Sequence, residues 1–296
     1  MKSPNPHQHD SLVYFSIIIH TILGAGTYPI VKRSLVEIPP LVFAFYRFTL
    51  SAFIILVILA FRRHVFSYLK TDWRLLLLLA VLAVPLNQGL FLLGMPYTQP
   101  THAALLYATT PVWVYILGLL KKEESLSLSK SIGILIALVG VLIFFAEKGL
   151  KFNFEYLWGD LLILIAVWCW AAYTIYGRPL VQRRGAVNTT ALSLLIGSAI
   201  YLPIGIPLAS SFDYAKVTPV AWSGVLYTAA LTSVALYSLW YWIVARIEPS
   251  RAAVFMNLQP LVTAILSYLL LGEILSAVTI IAGLIIIFGV YITQRR

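Results

Sequence analysis

The sequence predicts an all-α integral membrane protein of ten transmembrane helices, built as two inverted five-helix repeats. Three observations predict it: a charge-poor composition, ten separate apolar stretches of spanning length, and an internal repeat at an offset of 149 residues. Of 296 residues, 60% are hydrophobic and 11% charged, with a mean hydropathy of +0.90. A soluble domain carries about 25% charged residues, and a chain of this size with so few has too little polar surface to cover itself. A soluble enzyme is thereby excluded.

A helix rising 1.5 Å per residue needs about 20 apolar residues to cross a hydrocarbon core roughly 30 Å thick. Ten stretches qualify, near 11–31, 39–61, 73–94, 98–120, 129–146, 157–177, 187–209, 219–243, 250–271 and 276–293. Short connectors hold nearly all the charge, so there is no room for a separate soluble domain. The first apolar run is longer than the 7–15 residues of a signal-peptide core and is read as an uncleaved first helix. The expected organisation is a cytoplasmic tail at 1–10, a first repeat at 11–146, an extracytoplasmic linker at 147–156, a second repeat at 157–293 and a cytoplasmic tail at 294–296.

Lys and Arg divide 15 to five between alternate sides, with Arg47 alone inside a span. Positive charge accumulates on the cytoplasmic side, which puts both termini in the cytoplasm. The formal net charge of +10 is therefore a topology signal, and no nucleic-acid partner is expected.

Other chemistries lack their residues. The single Cys169 excludes a disulfide framework and a Cys-rich metal site. The five histidines form no zinc-enzyme pair, and neither a Gly-x-Ser-x-Gly elbow nor a phosphate-binding loop occurs. No metal, no cofactor and no catalytic residue is expected, and an intramembrane enzyme is the rival reading that these absences disfavour.

At an offset of 149, Pro100–Ile143 aligns with Pro249–Ile292 without a gap, with 16 identities in 44 positions. The pairs include Pro111 with Pro260, Glu124 with Glu273 and Gly140 with Gly289. Span one matches span six more weakly at an offset of 145, through Tyr28 with Tyr173 and Arg33 with Arg178. Five spans per copy is an odd number, so the second copy must enter the membrane from the opposite side. Inverted repeats of this kind place a carrier's site at their interface near the midplane, and paired helix interruptions point to it. Pro111 and Pro260 are such a pair, read as helix breaks that free backbone carbonyls; a simple kink is the plain alternative.

The stretches GAGTYPIVKRSL, PPLVFAFYRFTLSAFIIL and NQGLFLLGMPYTQPTHAALLYATTPVWVYILGLL, with IEPSRAAVFMNLQPLVTAILSYLLLGEILSAVTIIAGLIIIFGV in the second half, resemble the EamA-type drug/metabolite transporters. The resemblance covers nearly the whole chain. It implies a ten-helix inner-membrane carrier of small metabolites with cytoplasmic termini. The glycine that precedes the family's glutamate is present at Gly272-Glu273, whereas the first copy reads Glu123-Glu124. Members resemble exporters of amino acids, sugars, nucleotide sugars or drugs, so the resemblance does not choose a substrate.

The candidate substrate-binding residues are polar or aromatic groups at membrane depth. His20, Gly24, Thr27 and Tyr28 share one face of span one. Gln88, beside Asn87, and Asn257 and Gln259, beside Pro260, are amides that need partners in hydrocarbon. His102 and Trp113 share a face of span four with Thr109, and His102 is the group able to titrate near neutral pH. Trp168, Trp170, Tyr173 and Tyr237 are deep rings that suit an aromatic or amphipathic substrate. For each, helix packing is the competing reading.

Three charges are read as structural. Arg47 lies inside span two, where it either attracts a carboxylate or neutralises helix-end carbonyls. Glu124 and Glu273 are expected to accept bonds from backbone N–H groups at the start of the next helix. Gly133 and Gly140, with Ala282 and Gly289, form small-residue seams. No carboxylate lies at mid-membrane, so a carboxylate proton relay is not expected. The expected function is export of small metabolites, with aromatic or neutral amino acids first and a sugar, nucleotide sugar or drug as the alternative. The partners are that solute and the lipid bilayer, with the chain a monomer.

Overall fold

A computed structural model describes residues 6–147, 154–262, 264–265 and 276–295. Glu273 lies outside the described residues, as does the side chain of Tyr28. The described residues are helical, with no strand among them. Nine described helices are long and apolar enough to cross a membrane: Ser11–Ser34, Pro40–Ala60, Val65–Tyr97, His102–Leu120, Leu128–Glu147, Leu157–Arg184, Ala186–Ser210, Pro219–Val244 and Ala277–Gln294. The expected ninth stretch, 250–271, is described only in part, so ten spans are not counted.

The spans are not uniform helices. The first is α1 (Pro6–Ala25) followed by α2 (Thr27–Ser34), and the second is α3 (Pro40–Ala60). The third runs through α4 (Tyr68–Val81), a π-helical segment (Leu82–Gly89) and α5 (Leu90–Gly94). Pro85 sits inside the π segment, where its missing N–H breaks the ordinary ladder and the wider turn takes up the mismatch. The fourth divides into α6 (Pro100–Ala108) and α7 (Thr110–Leu120), and the fifth is α8 (Leu128–Glu147).

In the second half, α9 (Leu157–Arg184) and α10 (Ala186–Ser210) are long and continuous. They turn at Gly185, whose φ of 86° is in the left-handed region that favours glycine. Then come α11 (Pro219–Tyr227), a second π-helical segment (Thr228–Leu236) and α12 (Tyr237–Val244). The chain continues through α13 (Pro249–Ala253), a 3₁₀ turn (Val254–Leu258) and α14 (Ala277–Gln294).

Pro111 lies in the first turn of α7, where a missing N–H costs nothing. The interruption sits upstream of it, and the carbonyls there are taken by neighbouring hydroxyls: Thr109 donates to Leu106 O at 2.6 Å and Thr110 to Tyr107 O at 2.5 Å. Before Pro260 the chain tightens into the 3₁₀ turn, and the Gln259 N–H closes on the Met256 carbonyl. Both prolines thus mark breaks about one turn before themselves.

The small-residue seam joins α8 to α14. A Cβ added at Gly133 would lie 2.7 Å from the Gly289 carbonyl oxygen, and one at Gly140 would lie 3.0 Å from that of Ala282. The residue numbers run in opposite directions along the contact, so these two helices pack antiparallel. Backbone-to-backbone approach this close is what small residues provide where lipid tails supply no hydrophobic drive.

Candidate functional site

A cavity of about 80 Å³ opens in the middle of the bundle. One ordered water needs roughly 10–15 Å³ on this measure, so the space suits a small solute. His20, Gly24 and Thr27 line it from span one, and Asn87, Gln88 and Phe91 from span three. Tyr107 and Trp170 come from α6 and α9, Thr232, Leu236 and Tyr237 from span eight, and Met256 and Gln259 from the turn before Pro260. Both π segments therefore end at the cavity, the first with Asn87 and Gln88 and the second with Thr232 and Leu236.

These side chains form one hydrogen-bonded group. Asn87 Nδ2 donates to Tyr107 Oη at 3.0 Å and to the Ala166 carbonyl at 2.7 Å. Gln88 Nε2 donates to Tyr237 Oη at 2.8 Å, and Tyr237 Oη donates to Asn87 Oδ1 at 3.0 Å. Gln88 and Tyr237 stand 149 residues apart, the offset of the repeat, so equivalent positions of the two halves bond each other directly. Tyr107 and Met256, also 149 residues apart, both line the cavity. A cavity built this way carries amide and hydroxyl groups among aromatic faces, a lining that can hold one polar end and one apolar body.

Glycine matters at one point of the wall. The Gln259 Nε2 would be 2.6 Å from a Cβ added at Gly24, so a larger residue there would push that amide aside. Beside it, Thr27 and Thr232 hydroxyls bond at 3.3 Å, and the His20 ring lies 5.2 Å from that of Trp240.

Other sequence candidates fall elsewhere. Trp168 is 46% exposed on the outside of the bundle, while Trp170, two residues on, faces inward. Trp113 lies beside the central core, its Nε1 donating to Thr109 Oγ1 at 3.2 Å. Tyr173 is fully buried behind Trp170, stacked on Tyr241 with ring centres 4.5 Å apart. Asn257 is fully buried with neither amide atom partnered among the described residues, and it does not line the cavity. Sequence reasoning gave no role to Phe91, Tyr107, Thr232, Leu236 or Met256, and it noted Asn87 only as the neighbour of Gln88.

Polar clusters close both ends of the span containing α6 and α7. At one end His102 Nδ1 lies 2.9 Å from Asp160 Oδ2, Thr98 Oγ1 donates to the other oxygen, and Lys32 Nζ bonds the Met95 and Thr98 carbonyls at 2.7 and 2.9 Å. At the other, Glu124 accepts from Lys130 Nζ at 3.0 Å, from the Ser250 backbone N–H at 2.8 Å and from the Ser250 hydroxyl. The helix that Glu124 caps is thus α13, the start of the equivalent span in the other half, and not the next helix as expected. Lys130 also holds Glu248 at 3.0 Å, which pairs with Arg251 at 2.8 Å. Between the cavity and this end, the stacked rings of Trp170, Tyr173 and Tyr241 fill the interface of α9 and α12. Arg178 bridges beyond them to Glu123 at 3.3 Å.

Arg47 is fully buried on α3. Its Nε donates to Ser233 Oγ at 2.9 Å, and its two terminal nitrogens have no partner among the described residues. The expectation that it neutralises helix-end carbonyls is not met among those residues. No group of His, Cys, Asp and Glu able to hold a metal occurs among the described residues.

The EamA-like transporter family matches the chain twice, over residues 11–146 and 157–295. An uncharacterized transporter of Archaeoglobus fulgidus is 28% identical, covering 97% of this chain and 99% of its own. Two from Bacillus subtilis, YyaM and YetK, are 25% and 30% identical, covering 94% and 90% of this chain and 92% and 82% of theirs. A solved crystal structure at 18% identity superposes with a TM-score of 0.75 over 96% of this chain and 95% of the other, a likeness of fold.

Proposed function

Because the chain belongs to the EamA-like transporter family, a family of multi-pass membrane proteins, we propose that it is a secondary carrier exporting small amphipathic metabolites, with aromatic or neutral amino acids as its substrates. The observation that carries this reading is the central cavity, where amides of the first half meet a tyrosine of the second among aromatic walls. The two halves rock about this point, the clusters at Asp160 and Glu124 breaking in turn to expose the solute to each side. The antiparallel seam of α8 and α14 and the 149-residue offset of Gln88 and Tyr237 support an inverted five-helix repeat. In this reading the chain is a monomer of the bacterial inner membrane with cytoplasmic termini, and it moves its solute without a chemical step. The small cavity favours amino acids over nucleotide sugars.

The test is uptake of labelled phenylalanine into proteoliposomes of purified protein, with empty liposomes as control and with and without a pH gradient. Uptake above the control supports the substrate class. Its absence with folded protein removes aromatic amino acids, and a panel of sugars and drugs then decides the class.

A further inference from the structure

The charge around the cavity is one-sided. Arg47 is 0% exposed and inside a membrane span, where a bare cation is expensive and is ordinarily paired. None of the ion pairs among the described residues includes it, and Nη1 and Nη2 have no hydrogen-bond partner there. Its one bond, to Ser233 Oγ, ties it to the residue after Thr232, which lines the cavity. Arg47 does not itself line the cavity and lies behind its wall, at Ser233. No acidic side chain lines that cavity. A guanidinium offers a planar fork matched to a carboxylate.

Resting on the carrier reading above, we infer that the site selects its substrate by a carboxylate, drawn to Arg47, and gives no anionic partner to an ammonium. The substrate class is then the small monocarboxylate with an apolar or aromatic body. An amino acid qualifies through its carboxylate, and its amino group is dispensable. The aromatic lining from Phe91, Tyr107 and Trp170 takes the body.

Three compounds with the same ring and a similar chain separate the charges: 3-phenylpropanoate, phenylalanine and phenethylamine. Each is tested as a competitor of labelled phenylalanine uptake by the full-length protein in liposomes, and as a stabiliser of the purified protein in thermal unfolding. The inference predicts that phenylpropanoate matches phenylalanine and that phenethylamine is weaker by about tenfold or more, the usual margin for a lost hydrogen bond to a charged group. Arg47→Gln erases the gap, whereas Arg47→Lys and Ser233→Ala, which keep the charge, preserve it. Should Arg47→Gln fail to fold, the wild-type charge series and the two charge-keeping variants still decide. Phenethylamine binding as well as phenylalanine overturns the inference and leaves the carrier standing, as does a folded Arg47→Gln protein that retains the gap. If none of the three binds, the carboxylate inference falls together with the aromatic substrate class.

Discussion

Replacing Glu124 by alanine tests the junction between the two halves. Its carboxylate is entirely buried and accepts from Lys130 Nζ, the Ser250 N–H and the Ser250 hydroxyl. Removing one partner of a buried ion pair costs about 3–5 kcal/mol, and each unsatisfied buried donor adds roughly 1–3 kcal/mol. The ammonium of Lys130 is not left bare, however, because Glu248 stays 3.0 Å away. The low end, about 3 kcal/mol, is therefore expected for Glu124→Ala. Glu124→Gln keeps an acceptor for Ser250 and loses only the charge, so about half that loss is expected. In the double variant Glu124→Ala/Glu248→Ala, Lys130 has lost both carboxylates, and the loss exceeds the sum of the single variants by about 1–3 kcal/mol. Equilibrium unfolding in mild detergent, titrated with dodecyl sulfate and followed by tryptophan fluorescence, reads wild type, Glu124→Ala, Glu248→Ala, Glu124→Gln and the double variant. A Glu124→Ala protein within about 0.5 kcal/mol of wild type, the range of ordinary surface changes, would mean that Glu124 does not hold the two halves together.

Two further predictions follow from particular contacts. Gly140→Leu puts a side chain where even a Cβ lies 3.0 Å from the Ala282 carbonyl oxygen, so α8 and α14 must separate; a loss of about 1–3 kcal/mol from overpacking is expected in the same unfolding assay, and wild-type stability would sink the seam. In the connector before α3, the Thr218 N–H and hydroxyl donate to Glu37 at 2.8 Å each, and with Arg33 they hold its carboxyl below the ordinary 4.5. A carboxyl lowered in the folded state stabilises above the unfolded value and loses that contribution as pH falls through the folded one. Wild type should thus melt above Glu37→Gln at pH 7, with the gap closing as pH drops below 4.5; a gap independent of pH would contradict this.

Much of the site was legible because polar side chains at membrane depth must be satisfied. His20, Gln88 and Gln259 were found that way, and all three line the cavity. The same logic flagged Asn257, yet one residue's rotation around the turn before Pro260 keeps it out. Rings were harder to place. The α9 helix is apolar on every side, since lipid and protein are equally apolar neighbours, so composition does not separate Trp168 from Trp170, about 200° apart on the helix. Tyr107 and Met256 are bland singly, and only their equivalence at 149 residues points to them. The π segment at Thr228–Leu236 has no proline to announce it, unlike the one holding Pro85. The partner of Glu124 was misplaced because sequence shows the next helix, whereas the repeat brings in its counterpart.

In the carrier proposed above, the cavity where Gln88 meets Tyr237 is the path of the solute. The most direct measurement compares Gln88→Ala with Trp168→Ala in the proteoliposome uptake of labelled phenylalanine. A fall of about tenfold or more is expected for Gln88→Ala, which removes a polar group from the site and strips Tyr237 of a donor, and unchanged uptake for Trp168→Ala on the outer surface. Equal uptake by the two variants, both folded, would contradict it.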